Sequence, residues 1–154
     1  MQLDKETFRS VVAHAPLVSL DLVVRNAAGE ILLGRRLNRP AQGYWFVPGG
    51  RIYKNERLDR AFARITQAEL GQPFARADAR LLDLYEHFYT DSVFGDTPDT
   101  HYVVSGYLLD LPQGCELSLP DTQHDGFRWW SPDEMRRDPM VHENSRAYLN
   151  AVGR

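Results

Sequence analysis

Between Gly49 and Gly71 the chain reads GGRIYKNERLDRAFARITQAELG, two glycines followed by a segment that carries Glu56, Arg64 and Glu69. Adjacent glycines let a backbone approach a ligand closely and adopt dihedrals barred to other residues. Leu58, Ala61, Phe62 and Ile65 recur at helical spacing and predict a helix over about 56–70, with Gly71 as its C-terminal stop. On that helix Glu56 and Arg64 are about 80° apart, within reach of long side chains. An exposed carbonyl before the helix and a carboxylate near its end suit Mg²⁺, which takes hard oxygen ligands and keeps waters and substrate phosphates. A surface helix with solvated charges fits the same pattern, so spacing alone leaves both readings open.

Other residue types suited to chemistry are scattered along the chain. Arg36 and Arg51 flank the glycine-rich loop, and guanidinium groups suit multidentate phosphate binding or simply end strands as solvated charges. Asp21 interrupts an apolar run, and a buried carboxylate there needs a partner. His124 sits in the polar stretch Asp121–Asp125, with an ordinary pKa of about 6.5 that leaves it mostly neutral and able to accept a proton. His14, His101 and His142 read as structural or exposed, Trp45, Trp129 and Trp130 as core or interface, and Cys115 has no basic partner for nucleophilic work.

These residues need elements to position them. A short amphipathic helix is predicted over 4–14 and a largely buried strand over 17–24. A turn at 26–29 and a strand over 30–36 complete a hairpin. A loop over 38–42 leads to a strand over 44–47 that Pro48-Gly49-Gly50 halts. Strands are predicted over 80–89, 100–110 and 127–130, then a helix capped by Ser131 with Pro132 at its first position, and a last helix near Asn144. The order α-β-β-β-α-β-β-β-α gives a mixed sheet flanked by helices, an α+β or α/β sandwich.

Composition bounds the class. With 154 residues, 43% hydrophobic and 25% charged, the chain is one ordinary globular domain, 1–154. A net charge of −3 argues against a nucleic-acid coat, and no apolar run approaches the roughly 20 residues of a membrane span. A single cysteine excludes intrachain disulfides and Cys-rich zinc sites, and the charged start MQLDKETFRS does not read as a secretory signal. A cytoplasmic protein is expected.

The stretch from Gly50 resembles the Nudix box, G-x5-E-x7-R-E-U-x-E-E-x-G-U, where U is a bulky aliphatic residue. Gly50, Glu56, Arg64, Glu69 and Gly71 match at the family's spacing, while Ile65, Thr66, Ala68 and Gln72 depart from it. Together with PLVSLDLVV, NRPAQGYWFVPGGRI, ITQAELG, HFY, THYVV, PDTQHDGFRW and HENSRAY, these departures resemble the GDP-mannose mannosyl hydrolase branch.

The resemblance implies a Nudix-type α/β/α sandwich and Mg²⁺-dependent hydrolysis of GDP-mannose, or of GDP-glucose, to GDP and free hexose by inversion at sugar C1. It implies one Mg²⁺ per site, held by the Gly49 carbonyl, Glu69 and Gln123, with His124 as general base. Arg36, Arg51 and Tyr102 would assist departure of GDP. Asp21 and His87 would line the sugar site, and Phe8 would approach the guanine. Glu56 and Arg64 would support the loop. The partners implied are a GDP-sugar and a second copy in a homodimer, with no nucleic acid and no membrane. The alternatives are a conventional pyrophosphohydrolase cutting the P–O–P bond of a nucleotide sugar, and a non-catalytic nucleotide-binding module.

Overall fold

The computed structural model describes residues 2–120 and 124–153. Helix α1 (Lys5–His14) starts where the Asp4 side chain accepts the Thr7 N–H, and leads into β1 (Leu17–Arg25). Then come β2 (Ile31–Arg36), β3 (Trp45–Phe46), β4 (Gly49–Arg51) and α2 (Leu58–Leu70). Strands β5 (Arg80–Tyr89), β6 (Thr100–Asp110) and β7 (His124–Trp130) follow, and three short helices close the chain: α3 (Pro132–Arg137), α4 (Glu143–Arg146) and α5 (Leu149–Val152). The expected mixed α/β architecture is the one found. Among the described residues no helix is long and apolar enough to cross a membrane.

The seven-stranded sheet runs β3-β2-β1-β6-β5, with β4 alongside β1 and β7 alongside β2. Strands β1 and β6 are parallel from Leu17↔Tyr102 to Arg25↔Asp110, and the remaining pairs are antiparallel. The opposite edge of β1 is shared. Strand β2 meets it only at Arg25↔Ile31, whereas β4 pairs with Ser19, Leu20 and Asp21. Strand β2 therefore diverges from β1 and carries Arg36 to β7 and β3.

Alternation along the strands sends two apolar sets to opposite faces. Leu20, Leu22, Val24, Leu32, Tyr107 and Leu109 pack on Ala61, Phe62, Ile65 and Leu70 of α2. Val23, Ile31, Leu33, Leu108 and Trp130 pack on Met135 of α3 and on Tyr148 and Leu149 at the C-terminal end. This is the α/β/α sandwich. Gly71 ends α2 in the left-handed region at φ 83°, with its N–H donating to the Gln67 carbonyl, and Ser131 and Glu134 form a capping box on α3.

Four local expectations need correction. Strand β3 does stop at Phe46, before Pro48, but the glycines that follow form a strand rather than a loop, because β1 offers a partner: Leu22 N–H donates to the Pro48 carbonyl at 2.8 Å and β4 continues the pairing. Helix α2 begins at Leu58, so Glu56 lies before it, in a turn where Asn55 adopts φ 67°. Strand β7 begins at His124 rather than Phe127, because pairing with β2 extends past an irregularity to Arg36↔His124 in spite of the polar sequence. The last predicted helix is two short ones, α4 and α5.

Candidate functional site

A cavity of about 450 Å³ opens where β2 leaves β1. Ser19 and Asp21 of β1, Arg36 of β2, and Gly49, Gly50 and Arg51 of β4 line it. Arg64, Ile65, Ala68 and Glu69 come from α2, His87 and Tyr89 from β5, and Tyr102 from β6. Gln2, Leu3 and Phe8 close it from the N-terminal side, and Pro40, Phe46, Val47 and Tyr53 complete it. Most of the predicted site residues thus meet in one place. Glu56 does not line the cavity but binds Arg64, which does. Gln123 lies outside the described residues. The backbone of His124 is placed opposite Arg36, whose side chain enters the cavity.

The glycines make the oxygen-rich corner possible. A Cβ on Gly49 would stand 2.4 Å from Asp21 Oδ1 and 2.5 Å from the Leu20 carbonyl, and one on Gly50 would meet Ile65 at 3.1 Å. Hydrogen bonds from Leu22 N–H to the Pro48 carbonyl and from Ile52 N–H to the Val18 carbonyl set the alternation between β1 and β4. Gly49 therefore faces Asp21 across a non-hydrogen-bonded pair, and its own peptide groups turn away from β1. Its N–H donates to Glu69 Oε1 at 3.3 Å. Glu69 is 6% exposed, so α2 delivers a buried carboxylate to the edge of β4 where the Gly49 peptide groups face away from β1.

That donor set contains oxygens only, which fits Mg²⁺ better than a softer ion. Among the described residues no three His, Cys, Asp or Glu side chains converge as a metal site. A cation here would draw much of its shell from substrate and water. Ile65 is fully buried against Leu20 and Phe62, whereas Ala68 is exposed on the cavity wall.

The cations of the cavity are held differently. Arg64 binds Glu56 through two nitrogens at 2.7 and 2.9 Å and donates to the Arg51 carbonyl at 2.8 Å, tying the loop to the helix. The Arg64 guanidinium holds the Glu56 carboxyl below its usual range. No described carboxylate forms an ion pair with Arg36 or Arg51. Arg36 lies 5.9 Å from the Phe46 ring and Arg51 lies 4.7 Å from that of Phe8. Two guanidiniums facing one cavity, neither in an ion pair with a described carboxylate, suit a multiply charged anion.

On the sheet floor, half-buried Asp21 accepts the Tyr148 hydroxyl at 2.6 Å. Burial pushes its carboxyl up to about 7, against the opposing pull of Tyr148 and then Arg36. Burial likewise raises the phenols of Tyr102 and Tyr89, the latter accepting from Asn144 Nδ2 at 3.1 Å. Tyr148, Tyr89 and Tyr53 are site-forming residues that sequence reasoning missed. Nothing in their spacing distinguishes them from core aromatics. Tyr148→Phe is expected to cost about 1–3 kcal/mol of stability in urea unfolding, because it strips a half-buried carboxylate of its hydrogen-bond donor.

Burial, aided by the charge of His142, lowers the His87 imidazole from 6.5 to about 4. The fold thus favours neutral His87, and its contribution is complete above pH 6.5. It is lost as pH falls from about 6.5 towards 4, because the unfolded chain takes up the proton first. Urea midpoints of the wild-type chain and of His87→Gln are expected to diverge over that interval. The wild-type chain should lose about 2–3 kcal/mol more than the variant, and parallel pH curves would remove His87 as the cause. His142 is the N-cap of α4 and stacks on Phe46 at 4.6 Å, a structural histidine.

The NUDIX domain family matches residues 15–151. The chain is 38% identical over 158 residues to the low-salt glycan biosynthesis protein Agl8 of Haloferax volcanii, covering 98% of this chain and 96% of that protein. Its fold superposes on the MutT NUDIX hydrolase of Burkholderia pseudomallei with a TM-score of 0.71 at 28% identity, covering 90% of this chain and 99% of that one. The NUDIX domain of Shewanella oneidensis NrtR, solved with ADP ribose, superposes at 0.68 with 17% identity, covering 99% and 92% of the two chains. Box residues, sandwich topology and these matches agree, and the chain belongs to the Nudix hydrolase family.

Proposed function

We propose that this protein hydrolyses GDP-mannose, with GDP-glucose as the second candidate substrate, to GDP and free hexose by attack of water at C1 with inversion. One observation carries the reading. The cavity wall of α2 bears Ile65 and Ala68 beside a single carboxylate, Glu69, while Arg36 and Arg51 face the same cavity without a described ion-pair partner. Such a wall is poor in ligands for a multi-metal centre aimed at phosphorus, but the guanidiniums suit a departing diphosphate. The name of the Haloferax relative places that protein in glycan biosynthesis, which supports a sugar-bearing substrate here.

In this reading Gly49 and Glu69, with Gln123, hold one Mg²⁺, which when bound neutralises charge on the diphosphate. Arg36 and Arg51 bind the diphosphate and stabilise the charge that develops as GDP leaves. Tyr102, kept protonated by burial, donates its hydroxyl to the departing oxygens. His124 accepts a proton from the water that attacks the opposite face of the sugar, the arrangement inversion demands. Asp21 and His87 form the sugar end of the cavity, and Phe8 approaches the base. Each protomer of a homodimer would carry one such site.

Hydrolysis of GDP-mannose with Mg²⁺ in ¹⁸O-labelled water tests substrate, bond and metal together. The expected result is GDP and labelled hexose. Label in phosphate would establish pyrophosphate cleavage instead, and binding without turnover by folded protein would establish a nucleotide-binding module.

A further inference from the structure

Arg51 reaches two aromatic rings in the cavity, Phe8 of α1 at 4.7 Å and Tyr53 of the β4–α2 turn at 5.2 Å. No described carboxylate pairs with it, so rings rather than an anion set the direction of its side chain. An aromatic face attracts a guanidinium while leaving its N–H donors unspent, whereas a carboxylate would occupy the donors a phosphate needs.

Tyr53 is itself immobilised. Its N–H donates to Glu56 Oε1 at 3.0 Å, and Glu56 N–H returns a bond to the Tyr53 carbonyl at 3.1 Å. Its ring takes the Arg64 guanidinium at 3.8 Å, and Arg64 in turn binds both Glu56 and the Arg51 carbonyl. Arg64 thus anchors the backbone of Arg51 and the ring against which that side chain lies. Position 53 falls among the five unconstrained residues between Gly50 and Glu56, so the box itself assigns it nothing.

We propose that Tyr53 is a positioning residue which, together with Phe8, aims Arg51 into the cavity as a cation whose donors are reserved for a diphosphate. The inference rests on the reading that this cavity receives a diphosphate. It makes the aromatic character of residue 53, not its hydroxyl, the property that matters, and it requires the effect to pass through Arg51.

The test is calorimetric binding of inorganic pyrophosphate in the presence of Mg²⁺, paired with KM and kcat on GDP-mannose. Tyr53→Leu is expected to weaken pyrophosphate binding and raise KM by about 3–10-fold, the range of a cation–aromatic contact. Tyr53→Phe should restore both to within about twofold, and in an Arg51→Gln background Tyr53→Leu should change binding by less than about twofold. Equal losses in both backgrounds, damage by Tyr53→Phe matching that of Tyr53→Leu, or no loss from Tyr53→Leu would each overturn the proposal. Should Tyr53→Leu lose its fold, Phe8→Leu removes the other ring and carries the same comparison with Arg51→Gln. Failure of the unmutated chain to bind pyrophosphate would overturn both this role and the diphosphate reading. Pyrophosphate binding without hydrolysis of GDP-mannose would overturn the hydrolase reading alone.

Discussion

Replacing His124 by glutamine is expected to lower kcat on GDP-mannose by about 10²–10⁴-fold, the usual contribution of a general base, while leaving GDP affinity nearly unchanged. Glutamine keeps a similar reach and hydrogen-bonding capacity but cannot carry off the proton of the attacking water. GDP is already a good leaving group once its charge is neutralised, so the proton removed from water is the transfer that still needs an enzyme group. Pairing of β7 with β2 sets the backbone of His124 opposite Arg36, and the Arg36 side chain lines the cavity. Steady-state turnover with parallel calorimetry of GDP binding checks the split between rate and affinity. A loss of tenfold or less in kcat would remove His124 from the role of base.

The second large effect is expected at Glu69. Glu69→Gln retains the size of the side chain and an oxygen to accept the Gly49 N–H, now at 3.3 Å from Oε1, but it removes the negative charge. Stability should therefore change little. The apparent affinity for Mg²⁺ should fall by at least about 10–100-fold, since even outer-shell partners of a metal carry that much, and turnover at fixed Mg²⁺ should fall with it. Partial recovery at high Mg²⁺ would show that the ion is bound less tightly rather than misplaced. Mg²⁺ titration of turnover, with Mn²⁺ binding to the GDP complex followed by electron paramagnetic resonance, measures both. An unchanged titration would count against Glu69 as a ligand.

Local signals in the chain were informative where the physics is local. The apolar stripe on α2, the Gly71 stop and the Ser131 cap were legible, because helix period and capping depend on residues within a few positions of one another. The Glu56–Arg64 pair was legible as a pair but not in its form. A helix beginning at Glu56 would have set the two groups about 80° apart on one cylinder, whereas the turn before Leu58 presents Glu56 to the guanidinium through both oxygens. Strand β4 and the first residues of β7 were hidden because glycines, a proline and polar residues carry no strand signal. Their pairing comes from partners far along the chain, Ser19–Asp21 and Arg36.

The sequence by itself determined the family, the one glutamate left on α2 at the box positions 65, 68 and 69, and the two arginines that bracket the glycine-rich loop. Only the tertiary structure decided what surrounds them. Parallel pairing of β1 with β6, and antiparallel pairing of β6 with β5, brings Asp21, Tyr102 and His87 to one floor, although Asp21 lies far from the other two along the chain. The partner of Asp21 proved to be Tyr148 of the C-terminal segment, and the supports of Arg51 proved to be Phe8 and Tyr53. Residue type states which interactions a side chain can make. Which one it makes depends on the groups that the sheet order places within a few ångströms, and that order is set by the packing of the whole chain.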